Sequence, residues 1–240
     1  MRQISNRLYV LDYDQYSDRP NLYYINGDNY SVSIDAGNSK KHVEKYYKEL
    51  QSLGLRLPKY TIISHWHWDH TFGLNAIVGT SISSKKTKDK LDEVSKWKWT
   101  KEDMDNRLLT HEDIEFCNEN IQREYPDLND IKVISTEQII TENKKMDLGG
   151  IEIELIPHPS THGDDSLFVY IKSERALIVE DADCPDYYID DNYCDVDSLE
   201  EMIHFFESID YDYHYLGHAD VETKQFALNR LKSELNNFKR

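Results

Sequence analysis

Short apolar strands that run into a helix occur in both halves of this chain, and that recurrence limits its fold more than any other feature. In the first half, residues 7–11, 22–25 and 30–34 read as strands. Asn26-Gly27-Asp28-Asn29 supplies a hairpin turn between the last two. A helix over about 39–53 follows, with Val43, Tyr46, Tyr47, Leu50 and Leu53 at helical spacing and Gly54 as its stop. The second half shows strands at 132–134, 151–156, 167–171 and 176–179, a helix near 198–209, a strand at 213–216 and a final helix over about 222–238. Two such halves predict two sheets packed face to face with helices outside. Between them, residues 82–130 are rich in Lys, Glu and Asp, with Trp97, Trp99, Met104, Ile114, Phe116 and Ile121 as apolar points. Aromatics and leucines recurring among mixed charges suggest helices rather than disorder. The stretch reads as a helical insertion, a lid or a dimer contact, with a solvated peripheral subdomain as the plainer alternative.

Residues 60–63 form a further strand, and close behind it stands His65-Trp66-His67-Trp68-Asp69-His70. Positions two apart in an extended chain point the same way, so His65 and His67 can grip one ion together. Where the chain turns, Asp69 and His70 become neighbours able to face a second ion. Imidazole nitrogen with carboxylate oxygen suits zinc, and also iron or manganese. A solvated histidine-rich turn is the bland alternative. An internal position behind an apolar strand, with tryptophans interleaved, argues against it. Residues 71–76 then begin a helix.

A pair of ions needs more ligands than six residues supply. His162 lies in a turn between two apolar strands, Asp181 follows the strand at 176–179, and His218 follows the strand at 213–216. All three sit at strand ends, where sites on sheets gather. His158, four residues before His162, is its rival. His42 falls in a helix, His111 in the charged stretch and His204 in a late helix, each solvated or packed; His214 is mid-strand and structural.

Composition excludes several classes. With 28 Lys and Arg against 45 Asp and Glu, the net charge of −17 repels phosphate backbones and anionic membranes. No stretch approaches membrane-spanning length. Three cysteines, Cys117, Cys184 and Cys194, are odd in number and widely spaced, as expected of reduced thiols in a cytoplasmic protein. The expected partner is a small-molecule substrate, not nucleic acid or membrane, with a homodimer open.

Taken in order, Asp35-Ala36-Gly37, the hexapeptide, His162, Asp181 and Gly217-His218 resemble the metallo-β-lactamase-fold hydrolase superfamily. The resemblance spans about residues 7 to 220, apart from the insertion. It implies an α+β fold, a four-layer αβ/βα sandwich with the metal cleft along one edge. The chain is then a single domain over 1–240 that carries the insertion at 82–130. It also implies that His65, His67 and His162 hold a first zinc, that Asp69, His70 and His218 hold a second, and that Asp181 bridges the two. Ser166, four residues after His162, matches a serine usual in that motif and favours His162 over His158. The family commonly has Gly before the bridging Asp, where this chain has Glu180. Asp183 and Cys184 follow closely, so Asp183 is the alternative bridge. Cys184 is similar to a zinc-binding Cys of one true β-lactamase subclass. That subclass lacks the equivalent of His70, and the ligand set looks more like glyoxalase II and lactonases.

The chemistry expected of such a site is hydrolysis of a small ester, thioester or lactone by a metal-bound hydroxide at neutral pH. Asp69 is placed to orient the nucleophile and pass on a proton. Asp35 supports the metal loops by hydrogen bonds. Trp66 and Trp68 either wall the cleft or pack, and Tyr187, Tyr188 and Tyr193 are candidates to offer a hydroxyl to the substrate. The rival readings are a small-phosphoester phosphodiesterase and an iron-dependent oxidoreductase on the same fold.

Overall fold

Alternation along each strand decides the layers. In a computed structural model that describes residues 1–189 and 195–239, β1 (Arg2–Gln3), β2 (Leu8–Leu11), β3 (Leu22–Asn26) and β4 (Ser31–Ile34) pair antiparallel in sequence order. After α1 (Lys40–Ser52), β5 (Tyr60–Ile62) adds in parallel to β4. Next come the short α2 (Trp68–Thr71), a 3-10 turn at Phe72–Ala76, and β6 (Thr80–Ser84), parallel to β5. Three helices follow, α3 (Lys85–Val94), α4 (Lys101–Leu109) and α5 (Glu115–Glu124), before β7 (Gln138–Ile140) closes a seven-stranded sheet. The second sheet has six strands: β8 (Lys144–Asp147), β9 (Glu152–Pro157), β10 (Leu167–Ile171), β11 (Ala176–Glu180), β12 (Tyr213–Leu216) and β13 (Glu222–Thr223). Two helices, α6 (Val196–Ser208) and α7 (Lys224–Phe238), complete the described chain.

On β3, Tyr23 and Ile25 enter the core between the sheets, while Leu22 and Tyr24 meet Tyr46 and Leu50 of α1 on the outer face. On β10, Leu167, Val169 and Ile171 point inward, and Phe168 packs with Met202 and Phe206 of α6. Every layer is therefore apolar on the side it buries. The result is the expected α+β sandwich, helix on sheet on sheet on helix. Among the described residues no helix is long and apolar enough to cross a membrane.

Several expectations need correction. Thr80–Ser84 is a strand, so Ile82 belongs to the sheet and core, and the helical stretch begins at Lys85. Its serines hid it: Ser83 bonds Thr136 at 2.7 Å, and only Ile82 carries the apolar signal. Residues 132–134 are not a strand; the strand comes later, at Gln138–Ile140. Strand β8 was missed because three of its four residues are exposed and only Met146 is buried, as suits a charged sheet edge. Helix α2 starts inside the hexapeptide, at Trp68, rather than at residue 71.

Candidate metal centre

Strand β5 delivers the hexapeptide to the sheet edge, and the Ser64 carbonyl anchors it there by accepting from Leu167 N at 2.7 Å. His65 and His67 lie with ring centroids 4.7 Å apart. His162, from the loop between β9 and β10, joins them at 5.1 and 4.5 Å. One nitrogen from each ring falls within 4.8 Å of the others.

Hydrogen bonds fix how these rings are presented. The Pro185 carbonyl can only accept, so His162 Nδ1 donates to it at 2.7 Å and Nε2 is left as a lone pair. Ser64 Oγ donates to Asp35 Oδ2 at 2.7 Å and so accepts from His65 Nδ1 at 2.9 Å. His65 Nε2 is then a lone pair as well, buried and without a partner. Burial, with the neighbouring imidazoles, holds His65 and His67 neutral, the form that ligates metal.

A second group lies beside the first. Helix α2 carries Asp69 and His70, while Asp181 follows β11 and His218 follows β12. His70 Nδ1 donates to Asp35 Oδ2 at 2.7 Å, which aims Nε2 at Asp69 and Asp181, each 3.1 Å away. His218 Nε2 stands 2.9 Å from Asp69 and 3.5 Å from Asp181. All four residues offer an atom within 4.8 Å of the others. Here carboxylates set the field. Burial would lower His218, but Asp181 and Asp69 push it up to about 9. Burial would raise Asp69 and Asp181, but His70 and His218 hold both below the usual carboxylate range. Converging imidazole lone pairs beside carboxylates are a donor set that fits divalent metal.

The sequence matches the Metallo-beta-lactamase superfamily over residues 18–218. The chain belongs to that superfamily. No curated protein matches it. Solved structures share the superfamily fold at low identity. A metallo-beta-lactamase from Pontibacter korlensis is 15% identical with TM-score 0.68, covering 98% of this chain and 97% of that one. A metallo-beta-lactamase family protein from Thermus thermophilus is 15% identical with TM-score 0.66, covering 99% and 81%. An archaeal superfamily protein from Sulfolobus tokodaii is 16% identical with TM-score 0.57, covering 95% and 86%.

Within this member of the superfamily, the two aspartates in question face different partners. Asp181 faces the motif histidines, whereas Asp183 accepts from His214 Nε2 at 3.0 Å and Arg230 Nη2 at 2.6 Å. Cys184 borders the cleft with its thiol pushed up by burial, then by Asp183 and Asp181, which disfavours the thiolate. His158 bonds the Pro159 carbonyl and lies against Phe205, away from the other histidines. His42 is buried, His204 pairs with Glu207 on the surface, and His111 is exposed. Trp68 is buried among Phe72, Val94 and Met104, and Trp66 packs against Tyr188, so both tryptophans brace the motif. Tyr193 and Cys194 lie outside the described residues.

The centre opens into a cleft of about 740 Å³ whose lining includes residues that no motif announced. Asp18, in a left-handed turn, faces the second group; burial and then Asp69 push it up to about 7. Arg230 arrives from α7, and Ile114, Phe116 and Cys117 come from α5 and its N-terminal cap. Asp165 accepts from Trp66 N and Thr87 Oγ1, both at 2.9 Å, and so ties the hexapeptide to α3. Its one hint in the sequence was a paired acid, Asp164-Asp165, in a turn between apolar strands.

Proposed function

We propose that the protein is a dinuclear zinc-dependent hydrolase acting on a small ester, thioester or lactone. In this reading His65, His67 and His162 hold one ion, Asp69, His70 and His218 hold the other, and Asp181 reaches both. Zinc suits the imidazole group, and iron or manganese also fits the carboxylate-rich one. The observation that carries the proposal is the pair of adjacent donor groups, the first buried and the second buried at Asp69 and His70 and open to the cleft at His218, at the end of a substrate-sized cleft. When bound, two such ions supply Lewis acidity and a water acidic enough to attack near neutral pH.

The chain's own residues do the rest. Asp69 orients the attacking water and takes up its proton. Asp35 and Ser64 hold His70 and His65 in the tautomers that leave Nε2 free to ligate. Tyr187 and Tyr188 border the cleft, where a phenol can donate to a substrate oxygen. The whole chain works as one domain, with residues 85–130 forming part of the cleft wall.

The test is a hydrolysis panel of thioesters, lactones, carboxylic esters, β-lactams and phosphodiesters on zinc-loaded protein. Cleavage of acyl substrates, reduced at least about a hundredfold by Asp69→Ala, is the expected result. Selective cleavage of phosphodiesters would replace the proposal with a phosphodiesterase. An iron-loaded protein consuming oxygen or peroxide, with no hydrolysis, would replace it with an oxidoreductase.

A further inference from the structure

Away from the metal centre the cleft changes character. Ile114, Phe116 and Cys117 form one wall with Tyr187 and Tyr188, and Leu216 and Ala219 line it as well. Phe116 is 58% exposed and Tyr187 43%, so large apolar side chains face solvent inside a concave site, where a substrate would cover them. The charges around this wall are one-sided. Among the described residues Arg230 is the one Lys or Arg that lines the cleft, and its Nη2 already donates to Asp183 at 2.6 Å and Glu222 at 2.9 Å. An anionic substituent placed here would find no free cation side chain among the described lining residues, only a guanidinium already engaged by two acids.

We infer that the substrate presents a neutral, apolar acyl chain to the wall formed by Ile114, Phe116 and Tyr187, and that the helical segment at 85–130 supplies this selectivity. The inference rests on the hydrolase reading for the bond that is cleaved, but not for what the wall binds. It excludes substrates whose recognition depends on a carboxylate or phosphate remote from the scissile bond. Phe116 is the specificity-determining residue, since it combines apolar area with exposure.

Three p-nitrophenyl esters separate the possibilities on zinc-loaded protein: acetate, hexanoate and the singly charged succinate. A fully buried methylene contributes up to about fourfold. Hexanoate should therefore exceed acetate by at least about tenfold in kcat/KM, chiefly through a lower KM, and succinate should fall below acetate. In Phe116→Asp the hexanoate-to-acetate ratio should collapse towards one, a comparison that holds whatever fraction of the variant is active. A succinate preference, or equal acetate and hexanoate turnover, overturns the inference. If none of the three esters is cleaved, the hydrolase reading is decided by the wider panel of thioesters and lactones, and the wall is judged alone, by calorimetry with N-methylhexanamide and N-methylacetamide. Tighter binding of the hexanamide, weakened by Phe116→Asp, keeps the inference; equal affinities end it.

Discussion

The two donor groups of the centre touch, yet they are built on opposite electrostatics. His65 and His67 are kept neutral by burial and the neighbouring imidazoles, while hydrogen bonds to Ser64 and Pro185 orient His65 and His162. Asp69, His70, Asp181 and His218 form a charged group in which the carboxylates raise both histidines. The first group is prearranged by shape, and the second is held by mutual attraction that a cation would satisfy. It follows that damage to the first should act through geometry, and damage to the second through charge.

The largest expected effect comes from Asp181, the residue proposed to reach both groups. Asp181→Ala should reduce activity by about a thousandfold or more and lower metal content. Asp183→Ala should keep the metal while costing about 3 kcal/mol of stability, because Asp183 is buried and bonded to His214 and Arg230. Metal analysis and thermal unfolding of the two variants decide the matter; reversed outcomes would move the bridge to Asp183. Next in size is Asp35→Asn. It weakens the acceptor for His70 and Ser64 and should lower metal affinity about ten- to a hundredfold. Unchanged affinity in a zinc titration would remove Asp35 from its supporting role.

The smallest effect concerns Glu180, which ends β11 at φ +52 with both carboxyl oxygens buried and unpartnered. Burial and then Asp35 raise its pKa well above the ordinary value. The folded state therefore binds that proton more tightly than the unfolded chain, whose Glu titrates near about 4.3, and this contribution to stability is lost as pH rises above that range. Glu180→Gly should thus stabilise metal-stripped protein, by about 1 kcal/mol or more at pH 7 and by less near pH 5. A destabilised variant at pH 7 would show that the acid is paired after all.

What was legible in the sequence follows from how each residue acts. His65 and His67 were readable because residues two apart in an extended chain face the same way, although β5 itself ends at Ile62, and His162, Asp181 and His218 because they stand near strand ends. The core strands β3, β4, β10 and β11 announced themselves through apolar residues. Strands β6 and β8 did not, since serines and lysines serve a sheet as well as valines wherever a strand is polar on one side or sits at the edge. Asp18 and Arg230 gave no signal, and Asp165 little, for another reason. Each gains its place only when elements distant in sequence meet, as Arg230 of α7 meets Asp183 behind β11.

Whether the two groups, with their different electrostatics, hold two ions is decided by native mass spectrometry of zinc-loaded protein beside His65→Ala and His218→Ala. Two zinc ions are expected on the wild type and one on each variant. A wild type that stays folded while holding one ion or none, or variants that both keep two, would contradict the two-ion reading.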